Sequence, residues 1–177
     1  MPHLTIAAIY QAARTAGFTP EQATTWTAIA LAESGGNTGA LNDHGEYSMG
    51  LWQINVGPGV RDNVWGNLND PVTNARAAYA ISHHGTDMRP WTTTHDSNQG
   101  TSADYRTYLS QVEAVTGVQG DDRGVGGYDS PLPPPLPSSG DPGLVQPSTL
   151  TDTLTYDQID GGMLPGANVD TDLDGLT

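Results

Sequence analysis

The spacing of apolar residues predicts two helices in the first part of the chain. Apolar side chains recur at helical intervals over residues 4–16, and a glycine follows as a stop signal. The sequence Thr-Pro-Glu-Gln then opens a second helix at Thr19, because threonine can cap a helix, proline suits its first position and glutamine completes a capping box. This helix runs to about Ser34, where Gly35 and Gly36 end it. Its predicted buried stripe comprises Ala23, Trp26, Ala30 and Leu31, widened by Ile29.

A small β element and further helices are predicted after the second helix. Residues 47–56 alternate loosely between polar and apolar side chains, which indicates a short hairpin or irregular strand. A short helix over residues 60–68 is followed by a helix that Asp70 caps and that ends near Gly85. A last helix covers residues 105–116, with a predicted inner face of Tyr105, Tyr108, Leu109, Val112 and Val115. The fold is therefore predicted to be mainly α (α+β), with four main helices beside the short one at residues 60–68, and a small β element.

Composition divides the chain near Gly117. Residues 118–177 carry half of the 20 acidic residues, one of the six arginines and most of the 13 prolines. The sequence predicts a folded domain over residues 1–117 and an extended acidic tail over residues 118–177, with polyproline II structure at residues 131–137. Such a tail buries too little apolar surface to offset its ordering entropy, so we expect a partner to order it.

Charge and composition exclude several functions. The chain carries no cysteine and no lysine, and its net charge is -14 at pH 7. So acidic a chain is not expected to bind nucleic acid or an anionic membrane. Its N-terminal segment lacks the cationic start and long apolar core of a signal peptide, and no apolar run reaches the roughly 20 residues of a spanning helix. The histidines lack the spacing of a metal site, so neither a metal nor a cofactor is predicted.

Glu33 is the candidate catalytic residue that the helix pattern itself suggests. It lies in the last turn of the apolar second helix, where burial and the negative end of the helix dipole both disfavour the carboxylate. No lysine or arginine lies close in sequence to pair with it. These features predict a raised pKa, and a carboxyl group that stays protonated near neutral pH can donate a proton to a glycosidic oxygen. The alternative is an exposed glutamate at an ordinary helix end.

Two motifs resemble a known family. The segments ALAESGGN at residues 30–37 and YSMGLWQIN at residues 47–55 resemble the helix-ending E-S-G and the following S-x-G-L-x-Q-I of the soluble lytic transglycosylase domain, a relative of goose-type lysozyme. The segment that begins at Asp70 resembles the family's later D-P-x-x-N-I helix start. The resemblance covers roughly residues 5–115. It implies a lysozyme-like fold with a substrate groove, and cleavage of the β-1,4 bond between MurNAc and GlcNAc in the glycan strands of peptidoglycan.

The resemblance also implies roles for five residues. Glu33 is implied to protonate the leaving oxygen and then to take the proton of the sugar's own C6 hydroxyl, which leaves a 1,6-anhydro product without a second carboxylate. For substrate binding, Ser48 matches a serine that hydrogen-bonds the glutamate or the sugar, Gln53 a glutamine that lines the groove, and Gly50 a position of close backbone approach. Trp91 stands where related phage sequences carry a Pro-Trp pair, and it is a further substrate-binding candidate.

Some features leave the reaction open. The family's A-Y-N-A-G segment, which supplies a site tyrosine, is absent, and Tyr47, Tyr79 and Tyr105 are the candidates to replace it. Hydrolysis as in lysozyme is the alternative reaction, and it needs a second carboxylate or a positioned water. Asp43 and Glu46 are the candidates for that carboxylate. An alternative of a different class is a mainly structural protein with a vestigial lysozyme-like domain.

The expected substrate lies outside the cytoplasm, whereas no export signal is predicted. A phage particle resolves this conflict, because its components are made in the host cytoplasm and delivered outside. The lysine-free composition and both motifs resemble tail-associated or lysin proteins of phages, so we expect a virion component, extracellular in action, that aids cell-wall penetration. Residues 118–177 are then expected to bind neighbouring virion subunits. A released endolysin is the alternative.

Overall fold

The computed structural model describes residues 3–57 and 64–136. Within these ranges the chain forms four α-helices, three short strands and two 3₁₀ turns, and each helix is too short or too polar to cross a membrane. The prediction of a mainly helical fold with a small β element is confirmed. In chain order the elements are α1 (Ile6–Ala16), α2 (Pro20–Ser34), β1 (Leu41–Asn42), β2 (Ser48–Met49), β3 (Ile54–Asn55), α3 (Pro71–Ile81), the 3₁₀ turns Thr92–Thr94 and Asp96–Asn98, and α4 (Arg106–Thr116).

Local capping interactions place the ends of α2 where the sequence predicts them. The Thr19 hydroxyl accepts a hydrogen bond from the Gln22 backbone N–H at 3.2 Å, and the Gln22 side-chain oxygen accepts one from the Thr19 N–H at 2.9 Å. Gly35 ends the helix in the left-handed region, with a φ of 60°, which glycine adopts at little steric cost. These caps determine which residues occupy the last turn of α2, and Glu33 is among them.

α2 is the central helix of the domain, and it is buried on every side rather than along one stripe. All residues from 23 to 30 are at most 3% exposed. The three threonines in this stretch tolerate burial because their hydroxyls donate to carbonyl oxygens one turn earlier in the same helix. These bonds run from Thr24 to Pro20, from Thr25 to Glu21 and from Thr27 to Ala23. The predicted stripe was too narrow, because it left out the three threonines and Ala28, which are buried as well.

The three strands form an antiparallel sheet in the order β1-β2-β3. The register places Met49 of β2 between Leu41 and Ile54. The turn between β2 and β3 requires Gly50, whose φ is 79°. A side chain at this position would collide with the Asn74 side-chain amide and with the Leu68 carbonyl oxygen. The turn between β2 and β3 therefore packs directly against α3.

Asn74 joins the sheet to α3 through three hydrogen bonds. Its side chain is fully buried, at 0% exposure. The side-chain amide donates to the carbonyl oxygens of Met49 and Leu68, both at 2.9 Å. The side-chain oxygen accepts the backbone N–H of Trp52, also at 2.9 Å. One asparagine therefore satisfies three backbone groups of the turn and of the loop that precedes α3.

Two predicted helix boundaries between the sheet and the second half of the chain differ from the structure. Residues 64–68 are not helical, and residues 60–63 of that predicted helix lie outside the described ranges. α3 begins at its predicted cap, since the Asp70 side chain accepts the Thr73 N–H at 2.8 Å. It gives way to a turn at Ser82, earlier than predicted, because His83 and His84 adopt the left-handed conformation, with φ values of 49° and 65°.

The predicted inner face of α4 is confirmed for three of its five residues. Tyr105, Leu109 and Val112 are at most 5% exposed, and Tyr108 packs against the same core with part of its surface exposed. Val115 is 54% exposed, against the prediction. The last turn of α4 instead faces α2 through its final threonine, whose hydroxyl lies 3.3 Å from the hydroxyl of a threonine in α2.

The segment that follows α4 folds back onto the domain. The Asp121 backbone N–H donates to the Thr25 hydroxyl at 2.7 Å, and the Tyr105 hydroxyl donates to the Asp121 carbonyl oxygen at 2.6 Å. Val125 is 3% exposed and forms a parallel β-bridge with His95. The acidic composition of this segment therefore does not prevent it from packing on the helices.

The unit that contains the described helices and strands runs over Met1–Ser139, past the boundary that composition suggests near residue 117. The two boundaries differ because only a few residues after α4 make buried contacts, and an average over the composition of the whole tail does not reveal them. The second unit, Gly140–Thr177, lies outside the described residues. The expectation of an extended, partner-ordered tail falls largely on that part of the chain and stays a prediction.

Replacing Asn74 by alanine tests the junction between the sheet and α3. The substitution removes the partner of two carbonyl groups and one N–H, and an unsatisfied buried group costs about 1–3 kcal/mol. We expect the free energy of unfolding, measured by denaturant titration, to fall by about 2 kcal/mol or more. Asn67→Ala is the matched control, because that exposed side chain accepts a single N–H from Asn69, at 3.1 Å. Equal losses in the two variants would show that Asn74 does not hold this junction.

Candidate active site

A cleft of about 470 Å³ lies between α2, the sheet and the loop that follows α3. This volume is within the range of small-molecule and cofactor sites. Residues that are far apart in sequence meet in it. They are Glu33 of α2; Glu46, Ser48, Gln53, Ile54 and Asn55 of the sheet region; Ile81 of α3; Asp87, Arg89, Pro90, Trp91 and Thr92 of the next loop and 3₁₀ turn; and Tyr128 of the segment after α4.

Glu33 reaches the cleft from the last turn of α2. Burial is the largest influence on this side chain, and it raises the pKa of Glu33 from 4.5 to about 7. A hydrogen bond from Thr93 opposes the shift, and the charge of Glu46 adds a smaller upward contribution. Protonated and ionised forms of Glu33 are therefore both well populated near neutral pH, which suits a group that donates a proton and takes one back.

The Thr93 hydroxyl orients the Glu33 carboxyl group. It donates to Glu33 Oε1 at 2.9 Å. Thr93 is 7% exposed, and its own carbonyl oxygen accepts the backbone N–H of Tyr105 at 3.2 Å. Because Oε1 accepts this hydrogen bond, Oε2 is the oxygen that carries the proton in the neutral acid. Sequence reasoning missed Thr93, since it stands in a threonine run without a motif, 60 residues from Glu33.

Glu46 supplies a second carboxylate to the cleft. Its oxygens accept hydrogen bonds from the side-chain amides of Asn42 at 2.7 Å and of Asn55 at 3.2 Å. These asparagines belong to β1 and β3, so the sheet holds the Glu46 side chain. Asp43, the other acid predicted for this role, is exposed, pairs with the His44 ring at 3.0 Å and does not line the cleft. Among the described residues, no group of three or more His, Asp or Glu side chains is arranged to hold a metal ion.

Of the residues predicted to bind substrate, Ser48 and Gln53 line the cleft and Gly50 does not. Ser48 is 2% exposed in β2, while Thr93 provides the hydroxyl that donates to the catalytic candidate. The Gln53 side-chain amide donates to the carbonyl oxygens of Gly50 at 2.9 Å and of Ala40 at 3.3 Å. Gln53 thus stabilises the turn between β2 and β3. The close packing of that turn on α3 explains why a glycine is required at position 50.

Trp91 lines the cleft but lies mostly in the core, at 5% exposure. Its ring meets the Trp26 ring edge-on, with centroids 4.6 Å apart. Its indole N–H donates to the Trp52 carbonyl oxygen at 2.8 Å, and the Trp52 indole N–H donates to the Trp26 carbonyl oxygen at 2.7 Å. Trp91 therefore anchors the start of the first 3₁₀ turn to the core, and a small part of its surface borders the cleft.

None of the three tyrosines that the sequence analysis names as candidates for the site tyrosine lines the cleft. Tyr105 is buried, Tyr79 packs edge-on against Phe18 with centroids 4.9 Å apart, and Tyr47 is 42% exposed outside the lining. Tyr128 lines the cleft instead. It lies in the segment that composition assigns to the tail, and no local sequence pattern connects it with Glu33.

Arg89 brings a positive charge to the cleft, but a neighbouring acid compensates it. The guanidinium donates to Asp87 through Nε at 2.9 Å and through Nη2 at 2.8 Å. These hydrogen bonds hold the pKa of Asp87 below its usual value. Because Arg89 is engaged in this pair, the burial of Glu33 can raise the pKa of that acid without a strong cation opposing it.

A comparison with known protein families found a match to the part of the chain that contributes most of the residues lining this cleft. Residues 10–93 match a family described as a lysozyme-like domain, a stretch that begins in α1 and ends at Thr93. Searches of curated proteins and of solved structures found no match. The matched stretch contains both sequence motifs, so the resemblance that they indicate is confirmed. Residues 10–93 of this chain are therefore similar to the lysozyme-like domains, and a domain of this kind implies peptidoglycan as its substrate.

Proposed function

We propose that the domain is a lytic transglycosylase that cleaves the β-1,4 bond between MurNAc and GlcNAc. The observation that carries this proposal is the state of Glu33, whose pKa is raised to about 7 by burial and whose carboxyl group is oriented by Thr93. The family match supplies the substrate class, since a lysozyme-like domain implies peptidoglycan. Glu33 then acts as the acid and as the base.

The proposed reaction uses one carboxyl group twice. Protonated Glu33 donates its proton through Oε2 to the glycosidic oxygen, the bond between that oxygen and C1 of MurNAc breaks, and GlcNAc leaves with the proton. Positive charge develops at C1 during this step. The Glu33 carboxylate then takes the proton of the C6 hydroxyl of the same MurNAc, and the C6 oxygen attacks C1. The product carries a 1,6-anhydro ring, Glu33 ends protonated, and no water is consumed.

The environment of Glu33 serves both halves of this reaction. Burial keeps the proton on Glu33 below about pH 7, so the acid is ready at the start. After proton transfer the same burial disfavours the carboxylate, which therefore takes a proton back readily. The Thr93 hydrogen bond stabilises the carboxylate between the two steps. These opposing effects keep the pKa in the range where donation and uptake are both effective.

Three of the predicted residues are proposed to contact the glycan. Ser48 and Gln53 offer a hydroxyl and an amide on the sheet side of the cleft, and Trp91 offers the exposed part of its ring on the opposite loop. Their shared position around the same cleft as Glu33 supports this assignment. Gly50 contributes through the turn that carries Gln53 rather than through contact.

Hydrolysis is the second candidate reaction, and the position of Glu46 favours it. A lysozyme-type enzyme uses a second carboxylate as a nucleophile or to activate a water. Glu46 lines the cleft and is held by Asn42 and Asn55. In the transglycosylase reaction, Glu46 would instead raise the pKa of Glu33 and stabilise the positive charge at C1. The chemical ends of the products distinguish the two reactions.

We also propose that the chain acts on the cell wall from outside as part of a phage particle, and that within residues 118–177 the part beyond the segment packed on the domain binds neighbouring virion subunits. The location of peptidoglycan and the resemblance of both motifs to phage proteins support this setting. Of the proposed binding segment, residues 137–177 lie outside the described residues. Immunoblotting of purified particles and of particle-free lysate separates a virion subunit from a released endolysin.

Glu33→Gln tests the proposed acid and its product. Glutamine can still accept the Thr93 hydrogen bond, but it has no carboxyl proton to donate. We expect the release of soluble fragments from purified peptidoglycan to fall by roughly 10²–10⁴-fold. Mass spectrometry of the wild-type products should show 1,6-anhydro ends. Reducing ends would establish hydrolysis, and no release by the wild type would favour a mainly structural protein.

Glu46→Gln and Thr93→Val are expected to shift the pH dependence in opposite directions. The charge of Glu46 raises the pKa of Glu33, whereas the Thr93 hydrogen bond lowers it. The alkaline limb of kcat/KM, expected at about pH 7 in the wild type, should therefore move to lower pH in Glu46→Gln and to higher pH in Thr93→Val. If Glu46 is the second carboxylate of a hydrolase, its substitution should instead lower activity by roughly 10²-fold or more at every pH.

Glu33→Gln should also change how stability depends on pH. The pKa of Glu33 is about 7 in the folded protein and 4.5 in the absence of burial, so the folded state binds this proton more tightly. The resulting stability is fully present below pH 4.5 and is lost as the pH rises to about 7. The Tm of the variant relative to wild type should therefore increase across this window and level off above it. A difference that is constant with pH would contradict the raised pKa.

A further inference from the structure

Tyr128 is an exposed aromatic residue on the cleft that contains Glu33, and it lies outside the stretch that matches the lysozyme-like family. It is 61% exposed, which is high for a tyrosine within a folded unit. An aromatic ring in this position presents apolar surface to whatever enters the cleft. Its position is informative only if the segment that carries it is held in place.

The chain is anchored immediately before Tyr128. The Val125 N–H donates to the Thr94 carbonyl oxygen at 3.0 Å, and the Asp96 N–H donates to the Val125 carbonyl oxygen at 2.8 Å. Gly124, with a φ of 66°, lies so close to the Arg106 guanidinium that a side chain would collide with it. The segment is therefore joined to the same loop that carries Thr93.

The chain is anchored again just after Tyr128. Arg89 Nη1 donates to the Ser130 carbonyl oxygen at 3.2 Å, and the Ser130 hydroxyl donates to the Gly127 carbonyl oxygen at 2.8 Å. The Tyr128 ring meets the His95 ring edge-on, with centroids 4.7 Å apart. His95 is itself 6% exposed, and its Nε2 lies 2.8 Å from the Arg89 carbonyl oxygen. The Tyr128 ring is thus supported on one side by His95, while most of the residue stays exposed on the cleft.

We propose that residues 124–130 form one wall of the glycan-binding groove and that Tyr128 is a sugar-stacking residue on that wall. The proposal rests on the proposed function, because it takes a glycan strand as the occupant of the cleft. The C–H groups on the face of a pyranose ring are apolar and slightly positive, and they pack well on the negative face of an aromatic ring. A glycan strand that places one bond at Glu33 extends beyond the cleavage site, so a platform on the rim would bind a neighbouring sugar. Tyr128 then contributes to binding and not to proton transfer.

Tyr128→Ala and Tyr128→Phe, made in the full chain, test the stacking role. With soluble glycan strands as substrate, we expect the alanine variant to raise KM roughly tenfold while kcat changes less than about twofold. The phenylalanine variant keeps the ring, so its KM should stay within about twofold of wild type. An equal loss in both variants, or a loss confined to kcat, would overturn the assignment. Because Tyr128 is exposed, circular dichroism should show that both variants fold normally.

Binding without cleavage provides the second measurement. In the Glu33→Gln background, adding Tyr128→Ala should weaken co-sedimentation with insoluble peptidoglycan roughly tenfold. Tyr47→Ala is the matched control, because Tyr47 is also exposed but does not line the cleft, and its substitution should leave binding unchanged. Equal weakening by both tyrosine variants would overturn the assignment.

The two proposals can fail separately. If the wild type cleaves peptidoglycan and Tyr128→Ala retains wild-type KM and binding, the role of Tyr128 is wrong and the proposed function stands. If the wild type neither cleaves nor binds peptidoglycan, the proposed function is wrong and the stacking role falls with it.

Discussion

Hydrogen bonds among three tryptophans connect the elements that carry the cleft. The Trp91 N–H donates to the carbonyl oxygen of Trp52, and the Trp52 N–H donates to that of Trp26. A buried indole N–H needs an acceptor, so each bond fixes the distance between two backbones. Trp26 belongs to the helix that carries Glu33, Trp52 precedes Gln53, and Trp91 precedes the turn that contains Thr93. One series of hydrogen bonds in the core thereby positions Glu33, the sheet-side lining of the cleft and the Thr93 hydroxyl that orients Glu33.

The burial of α2 determines both the stability of the domain and the acidity of Glu33. The helix is enclosed along residues 23–30, and its threonines satisfy their hydroxyls internally, so the neighbouring elements can pack closely around it. Glu33 follows directly, at the point where the enclosed helix meets the cleft. Desolvation at this point is the largest cause of its raised pKa. A more exposed α2 would carry the same glutamate with an ordinary pKa, and its carboxyl group would be ionised at neutral pH.

Local signals in the sequence predicted the elements and the acid, but not the partners of the acid. The capping box at Thr19, the glycine after Ser34 and the position of Glu33 depend on residues within a few positions of one another, and the structure agrees with them. The hydrogen bond from Thr93 to Glu33 joins residues 60 positions apart, and no local pattern reports such a contact. Gly50 was linked to substrate by resemblance, whereas its φ and its contact with Asn74 show a packing requirement.

The chain beyond the family match supports the catalytic candidate as well as the groove wall. Tyr105 donates its backbone N–H to Thr93 and its hydroxyl to Asp121, and its hydroxyl also accepts the Gly124 N–H at 3.1 Å. Burial raises the pKa of Tyr105, so this hydroxyl remains a donor at any ordinary pH. A single buried tyrosine thus links the residue that orients Glu33 to the segment that carries Tyr128. The folded unit around the cleft therefore includes the segment after α4, because a domain cut after that helix would lose the Asp121 and Gly124 partners of Tyr105 together with Tyr128.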